Sequence, residues 1–369
     1  MRLFDNPKVF LSIGPIQITW YALCILTGAF VAYALSQKTV KKWGYGSALL
    51  EDYFIPLFAI GILGARIYYV LFEWEYYGAH PEEILQIWHG GLAIHGGLLA
   101  GITFSVVYFK QKKVSFFRIF DAIMPNVLIA QAFGRWGNFF NQEAYGQIVK
   151  ESFFQGYPSF IKERMYIDGA YRQPTFLFES AMNVLGFLLI TQLFRRFLYK
   201  KRGDCGWAYL IWYGLVRFVI EGMRSDSLMI GPFKMAQIMS LVFVGIGLAG
   251  LLGHWIPYRK PVVCLACQIN DQTLQKEIEA KGSPCVAVAA DADETTVIQT
   301  VDGCGRGHDD CIFISDVIKE IETGRALGLY TVLLSPESQP ACHACRICTK
   351  EQIPALIEEE RTWSDNTIW

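Results

Sequence analysis

Gly134-Arg135-Trp136-Gly137-Asn138-Phe139-Phe140-Asn141-Gln142-Glu143-Ala144-Tyr145-Gly146 closes a long apolar segment and sets an arginine, two asparagines and a glutamate where hydrocarbon is expected. Polar groups at such depth are expensive and are usually functional. The fold then depends on how many further apolar segments surround this one.

Apolar residues make up 53% of the chain and charged residues only 18%, a balance that belongs largely to a bilayer. A span needs about 20 residues to cross roughly 30 Å of hydrocarbon. Seven segments qualify, near 15–36, 50–72, 91–110, 119–140, 174–199, 206–223 and 235–256. Met1 to Pro15 lacks a basic run before an apolar core and a small-residue cleavage site, so the first segment is expected to stay as an anchor.

Charge divides the chain and orients it. Residues 1–260 carry 25 Lys and Arg against 16 Asp and Glu, whereas residues 261–369 carry 8 against 18, so a boundary falls between Pro257 and Pro261. Basic residues follow the first span (Lys38, Lys41, Lys42), the third (Lys110, Lys112, Lys113, Arg118) and the fifth (Arg195, Arg196, Lys200, Lys201, Arg202). The loop after the second span has Glu73, Glu75, Glu82 and Glu83 and no cation. By the positive-inside rule the N-terminus lies outside and the C-terminal region in the cytoplasm. The expectation is an all-α polytopic membrane protein of seven helices, followed by a small cytoplasmic α/β domain.

In this orientation the unusual polar residues fall toward the outer leaflet: Tyr21, Arg66, His95, Arg135, Asn138, Asn141, Glu143, Glu179, Arg217, Glu221 and Arg224. Snorkelling accounts best for Arg66 and Arg224. Arg217, Glu221 and Arg224 share a helix face, so an internal ion pair is an alternative for part of the set. Two arginines in a dry cavity suit a phosphate, because guanidinium offers paired donors in a planar fork and keeps its charge. Arg135 and Arg217 are the candidate clamp, with Asn138 and Asn141 as neutral donors. Gly134 and Gly137 permit close approach by a lipid or by a neighbouring helix. His95, between two glycine pairs, is either a packing hydrogen-bond partner or a base with a pKa near 6.5.

These motifs together resemble the bacterial prolipoprotein diacylglyceryl transferases. The thirteen residues from Gly134 to Gly146 look like that family's signature, His95-Gly96-Gly97-Leu98 like its histidine-glycine-glycine element, and Trp20-Tyr21 like its first-span tyrosine. Gln173-Pro174-Thr175-Phe176-Leu177-Phe178-Glu179 and the stretch from Arg217 to Arg224 are similar to two further elements, so the likeness covers roughly 10–256.

The resemblance implies transfer of the diacylglyceryl group of phosphatidylglycerol to the lipobox cysteine of a prolipoprotein signal peptide, at the bacterial cytoplasmic (inner) membrane. His95, Arg135 and Arg217 would be catalytic. Tyr21, Arg66, Asn138, Asn141, Glu143, Gly146, Glu179, Glu221 and Arg224 would bind or orient substrate. Partners would be phosphatidylglycerol, membrane lipids and the signal peptide, with no nucleic acid. Sulfur displacement at carbon requires neither metal nor organic cofactor. A lipid or anion transporter and a lipid-phosphate hydrolase are the alternatives that use the same arginine pocket. The aromatic stretch 141–173 is expected to lie on the membrane and receive the signal peptide, or to serve as an interfacial anchor only.

The tail, 262–369, alternates strand-like runs (Pro261 to Ala266, Cys285 to Ala290, Cys311 to Ser315, Tyr330 to Ser335) with helical runs (Asp271 to Lys281, Val317 to Leu327, Lys350 to Arg361), a pattern of parallel sheets. Eight of the ten cysteines lie here. In a reducing compartment their spacing suits a structural zinc site or free thiols better than disulfides. Cys264, Cys267, Cys342, Cys345 and Cys348 are the candidate ligands, with His308, Cys311 and His343 in reserve. Asp291-Ala292-Asp293 and Ser315-Asp316 faintly resemble haloacid-dehalogenase-type phosphatases, over an interval too short for that whole fold.

Overall fold

The computed structural model describes residues 8–353, apart from 14–15, 44, 46–47, 88–89, 113, 199–201, 226–227, 254–261, 267–271, 281–282, 289–292, 304–310, 327–328 and 335–345. These residues form two compact units, one within Met1–Thr39 and Phe120–Tyr258, the other within Val40–Ile119 and Arg259–Trp363.

Among the described residues seven long helical segments appear: α1 (Trp20–Lys42), α2 (Ala48–Phe72), α3 (Ile94–Gln111), α4 (Phe116–Asn141), α5 (Thr175–Leu188), α6 (Asp204–Met223) and α7 (Met235–Leu252). A π-helical turn at Leu189–Phe194 and a last turn at Arg195–Phe197 extend α5. Five of the seven are long and apolar enough to cross a membrane: Trp20–Lys42, Ala48–Phe72, Phe116–Asn141, Thr175–Phe197 and Met235–Leu252. His95 and the final Lys110-Gln111 dilute α3, and α6 contains Asp204, Arg217 and Glu221. Exposed side chains on these helices include Phe30, Ile55, Phe58, Leu63, Leu241 and Leu252, an outward face suited to hydrocarbon.

The first span begins later than the hydropathy suggests. An antiparallel hairpin of β1 (Val9–Ile13) and β2 (Ile16–Thr19) precedes it, and the Thr19 hydroxyl oxygen caps α1 by accepting the Ala22 N–H at 3.1 Å. The third span is also shorter at its start, because Gly90 and Gly91 have φ of +90° and +74°, conformations a helix cannot continue.

In the first unit, small residues let helices approach closely. A Cβ at Gly28 of α1 would lie 2.8 Å from Phe133 of α4, and one at Gly250 of α7 would lie 2.3 Å from the Trp207 ring of α6. Leu128, Ile190, Cys205 and Tyr209 form a core shared by α4, α5 and α6. At one end of these helices, Pro125 leaves the Asp121 carbonyl without its helical donor, and the Arg195 guanidinium supplies one at 3.0 Å. The Asp121 carboxylate accepts the backbone N–H groups of Gly203 and Gly206 at 2.5 and 3.0 Å, satisfying the start of α6.

Between α4 and α5 a small subdomain carries β3 (Ile148–Val149), β4 (Tyr166–Ile167) and β5 (Ala170–Arg172) in the order β3-β5-β4, all antiparallel. Asp168 and Gly169 both have positive φ, the two-residue turn that matches strand twist, and they join β4 to β5. Much of the aromatic character of 141–173 is spent on an internal core of Phe154, Ile161, Met165 and Ile167 over Phe139 and Phe176, while Ile148, Phe160 and Tyr166 remain exposed. After α6, the hairpin β6 (Met229–Ile230) and β7 (Phe233–Lys234) leads into α7.

In the second unit, α2 packs on α3 where a Cβ on Gly96 would sit 2.3 Å from the Gly64 carbonyl oxygen. The tail in this unit forms a parallel sheet of β8 (Val262–Ala266), β9 (Cys285–Val288), β10 (Cys311–Ser315), β11 (Tyr330–Leu334) and β12 (Arg346–Cys348), ordered β12-β11-β10-β8-β9. Helices α8 (Gln272–Ala280), α9 (Glu294–Gly303) and α10 (Ile318–Ala326) lie between the strands in sequence. The parallel sheet agrees with the sequence pattern, which missed α9 and β12. The helical run expected from Lys350 shows only the short turn Lys350–Gln352, and its remainder from 354 lies outside the described residues. β9 is an edge strand; Asp291 and Ala292 lie outside the described residues, and Asp293 directly precedes α9. Its carboxylate accepts the Thr296 N–H at 2.9 Å and the Thr296 hydroxyl at 2.6 Å, a helix cap.

Candidate functional site

The last turn of α4 begins the site. Arg135 Nη1 donates to Asn138 Oδ1 at 3.0 Å, and Asn138 Nδ2 donates in turn to Glu143 Oε1 at 2.7 Å. Asn141 Nδ2 approaches the same oxygen at 3.4 Å. Glu143 comes back to the helix because α4 ends in a Schellman turn. The Glu143 N–H reaches the Asn138 carbonyl at 3.1 Å, the Gln142 N–H reaches Phe139 at 3.2 Å, and Gln142 takes the left-handed position with φ +55°. Ala144 is left-handed as well, at φ +57°. Two non-glycine residues in this region mark a backbone held by its surroundings.

Those surroundings are visible. The Gly146 N–H donates to the Gln173 carbonyl at 3.0 Å, and the Thr175 hydroxyl at the start of α5 donates to the Ala144 carbonyl at 2.6 Å. Gly146 also forms an antiparallel bridge with Arg224, just past α6. A Cβ at Gly146 would lie 2.6 Å from that of Gln173, so close stitching of the loop requires glycine.

Glu179, in the second turn of α5, joins the two arginines. Its Oε1 is 2.9 Å from Arg135 Nη2 and its Oε2 is 3.5 Å from Arg217 Nη1. Glu221 lies 2.5 Å from Arg217 Nη2 and 3.8 Å from Arg224 Nη1. The network holds three guanidiniums against two carboxylates. Both carboxylates are buried, while the Arg135 and Arg217 side chains keep 21% and 14% of their surface exposed. Arg217 Nη1 has the 3.5 Å ion pair with Glu179 and no hydrogen bond of ordinary geometry, so a better-placed acceptor could bind there. Each guanidinium has five N–H groups, so this pair can bind an oxyanion without giving up every carboxylate contact. The ion pair expected along α6 is present, and it forms part of a larger network. Lys234, from β7, donates to the carbonyls of Glu221 and Arg224 at 2.7 and 2.9 Å and fixes the end of α6.

Tyr21 of α1 packs on α4, where a Cβ at Gly137 would be 2.8 Å from its ring; around Gly134 the same test finds open space. The two glycines therefore separate, Gly137 serving helix packing. Beside the Asn138–Glu143 contact a small pocket is lined by Gln142, Tyr145, Met165, Ile167 and Thr175.

Arg66 and His95 belong to the second unit. Arg66 is buried and donates to the carbonyls of Ile84 (2.7 Å), Glu83 (2.7 Å), Gly90 (2.9 Å) and Gly91 (3.0 Å), so it pins the loop before α3 instead of snorkelling. His95 is exposed in the first turn of α3, its ring centroid 6.3 Å from that of Tyr68. Gly96 and Gly97 pack on α2, which places the crowding at the helix contact.

In the tail, Cys264 and Cys311 are buried in the apolar cluster of Val262, Val288, Val297 and Phe313. Cys348 ends β12, whereas Cys267, Cys342, Cys345, His308 and His343 lie outside the described residues. No group of three or more His, Cys, Asp or Glu side chains placed to hold a metal occurs among the described residues. Burial, with a smaller effect of Glu279, pushes the Cys285 thiol up to about 11.

Signals for several of these partners were absent from the sequence pattern. Nothing in the spacing ties Glu179 to both arginines or Lys234 to the end of α6. Asp121 has one legible clue, a proline four residues later.

Comparison with known proteins fits this geometry. The family model described as prolipoprotein diacylglyceryl transferase matches residues 8–253, and the tail lies beyond the match. A protein of Streptococcus uberis named phosphatidylglycerol–prolipoprotein diacylglyceryl transferase is 49% identical over 240 residues, covering 65% of this chain and 92% of its own. Relatives with the same name from Streptococcus agalactiae (46% over 247 residues; 67% and 95% covered) and Lactococcus lactis (46% over 241 residues; 65% and 92%) agree. The chain belongs to the prolipoprotein diacylglyceryl transferase family and is a largely helical bacterial membrane protein.

Proposed function

We propose that this protein transfers the diacylglyceryl group of phosphatidylglycerol to the thiol of a lipobox cysteine in a prolipoprotein signal peptide. The sulfur attacks the glyceryl carbon, a C–S bond forms, the C–O bond to phosphate breaks, and the electron pair leaves with glycerol phosphate. The thiol proton passes to a base. The observation that carries this reading is the pair of arginines, on α4 and α6, sharing Glu179 while their side chains keep 21% and 14% of their surface exposed.

Arg135 and Arg217 grip the phosphate and stabilise the charge that grows on it as the bond breaks. Asn138 and Asn141 add neutral donors, and Glu143, Glu179, Glu221 and Arg224 hold the guanidiniums in position. Gly146 and Tyr21 shape the walls through their close contacts, and Arg66 contributes through the loop it pins. A thiol with a pKa near 8.5 is mostly protonated at neutral pH, so a base raises its thiolate fraction. His95 is assigned that role on the chemistry of imidazole alone.

In this reading all seven long helices cross the cytoplasmic membrane, with the N-terminus outside and the reaction at the outer leaflet. Residues 1–260 perform it without metal or cofactor, and residues 261–369 are a cytoplasmic appendage that holds zinc if its cysteines gather. The exposed Ile148, Phe160 and Tyr166 meet the signal peptide at the interface.

Purified protein incubated with phosphatidylglycerol labelled in the glyceryl backbone and a lipobox cysteine peptide tests the reading. Label on the peptide is expected. Released label without labelled peptide would indicate a hydrolase, and an intact lipid would leave the transporter.

A further inference from the structure

Asn183 lies on α5 one helical turn beyond Glu179, fully buried, and neither its Nδ2 nor its Oδ1 has a hydrogen-bond partner. A buried amide with no partner costs free energy, more so inside a membrane, so a conformation that satisfies it carries a benefit. The ion pairs above identify an acceptor for its Nδ2, since an ionised carboxylate only accepts. Glu179 is spread across both guanidiniums, on donors that an incoming phosphodiester also needs. The network of three arginines and two glutamates has one positive charge in excess, which one phosphodiester neutralises. If lipid phosphate takes those donors, the Glu179 carboxylate, itself buried, must find others.

Residues four apart on a helix are neighbours, and helical side chains lean toward the N-terminus, which directs Asn183 toward Glu179. Resting on the proposed transferase reading, we infer that Asn183 is a positioning residue that receives the Glu179 carboxylate when the lipid phosphate binds Arg135 and Arg217. Glu179 then acts as an exchangeable occupant of the clamp: it holds the arginines together before lipid arrives and moves one turn along α5 afterwards. Asn183 sets how readily it leaves.

The test is a double-mutant cycle on the full chain in nanodiscs, read as KM for phosphatidylglycerol, kcat and thermal midpoint. Asn183→Leu removes an unsatisfied amide, so the lipid-free protein is expected to melt no lower than the parent. The KM is expected to rise about tenfold with kcat within a factor of about 3, one lost charge-assisted hydrogen bond. In a Glu179→Gln background, where no carboxylate has to move, the same substitution is expected to leave KM unchanged. Asn183→Ser and Asn183→Ala form a second pair, should Leu not fold; Ser, which keeps a donor, is expected to retain the lower KM. Equal effects in both backgrounds, or no effect on KM in either, overturn the inference. A parent protein that labels no peptide overturns the transferase reading instead.

Discussion

Helices α4, α5 and α6 carry buried charge at both ends, and the two ends differ in what answers it. At the Asp121 end each carboxylate oxygen meets a backbone N–H of the α6 start, and the carbonyl released by Pro125 meets Arg195. At the Arg135 end side chain meets side chain across three helices, guanidiniums outnumber carboxylates among the ion pairs, and left-handed Gln142 and Ala144 flank Glu143. The first is a joint that holds three helices together. In the proposed reading the second keeps charge and strain in hand for the lipid phosphate, as sites do when function takes precedence over stability.

That contrast is open to attack by mutation. The largest effect is expected from Arg135→Lys or Arg217→Lys, which keep charge and lose the planar fork: diacylglyceryl transfer should fall about 10²- to 10³-fold with little change in thermal midpoint. Turnover at the parent rate would remove the clamp from the mechanism. Asp121→Ala should do the opposite, costing on the order of 3 kcal/mol by leaving buried N–H groups unanswered, with turnover per folded molecule preserved. A thermal midpoint at the parent value would deny the joint.

The paired glycines give a smaller effect. Gly137→Ala should cost about 1–3 kcal/mol, because its Cβ meets the Tyr21 ring at 2.8 Å, whereas Gly134→Ala, facing open space, should be neutral or stabilising in a melting series. Equal losses at both would show that the α1–α4 contact is elsewhere. The smallest expected effect lies in the tail and involves Cys285. Its folded pKa of about 11 is above the usual thiol value, so the fold favours the protonated form. The resulting stability is present below about pH 8.5 and is lost as pH rises toward 11. Alkylation of Cys285 at pH 8 should be slow compared with unfolded chain and should accelerate toward pH 11; equal rates at pH 8 would contradict that burial.

Much of this contrast is legible in the sequence. An arginine or glutamate inside an apolar span is costly enough to stand out, so Arg135, Glu179, Arg217 and Glu221 could be named from hydropathy alone. Their ion pairs were only partly legible: Arg217–Glu221 follows from helical spacing, while the Glu179 bridge joins three helices and leaves no trace in local periodicity. Hydropathy places the start of α1 too early because Ile16 to Thr19 is apolar enough for a helix and β-branched enough for a strand. Arg66 looked like a snorkelling end residue because its acceptors are backbone carbonyls, which every residue has. The aromatic stretch 141–173 advertised an interface, yet most of its rings fill a core, a distinction that burial alone reveals.

The most direct test of the central claim is a structure of the protein with phosphatidylglycerol bound. The account predicts the lipid phosphorus centred between the guanidiniums of Arg135 and Arg217, with phosphate oxygens in hydrogen-bond range of both. A phosphate bound elsewhere, with both arginines still spanned by Glu179, would contradict it.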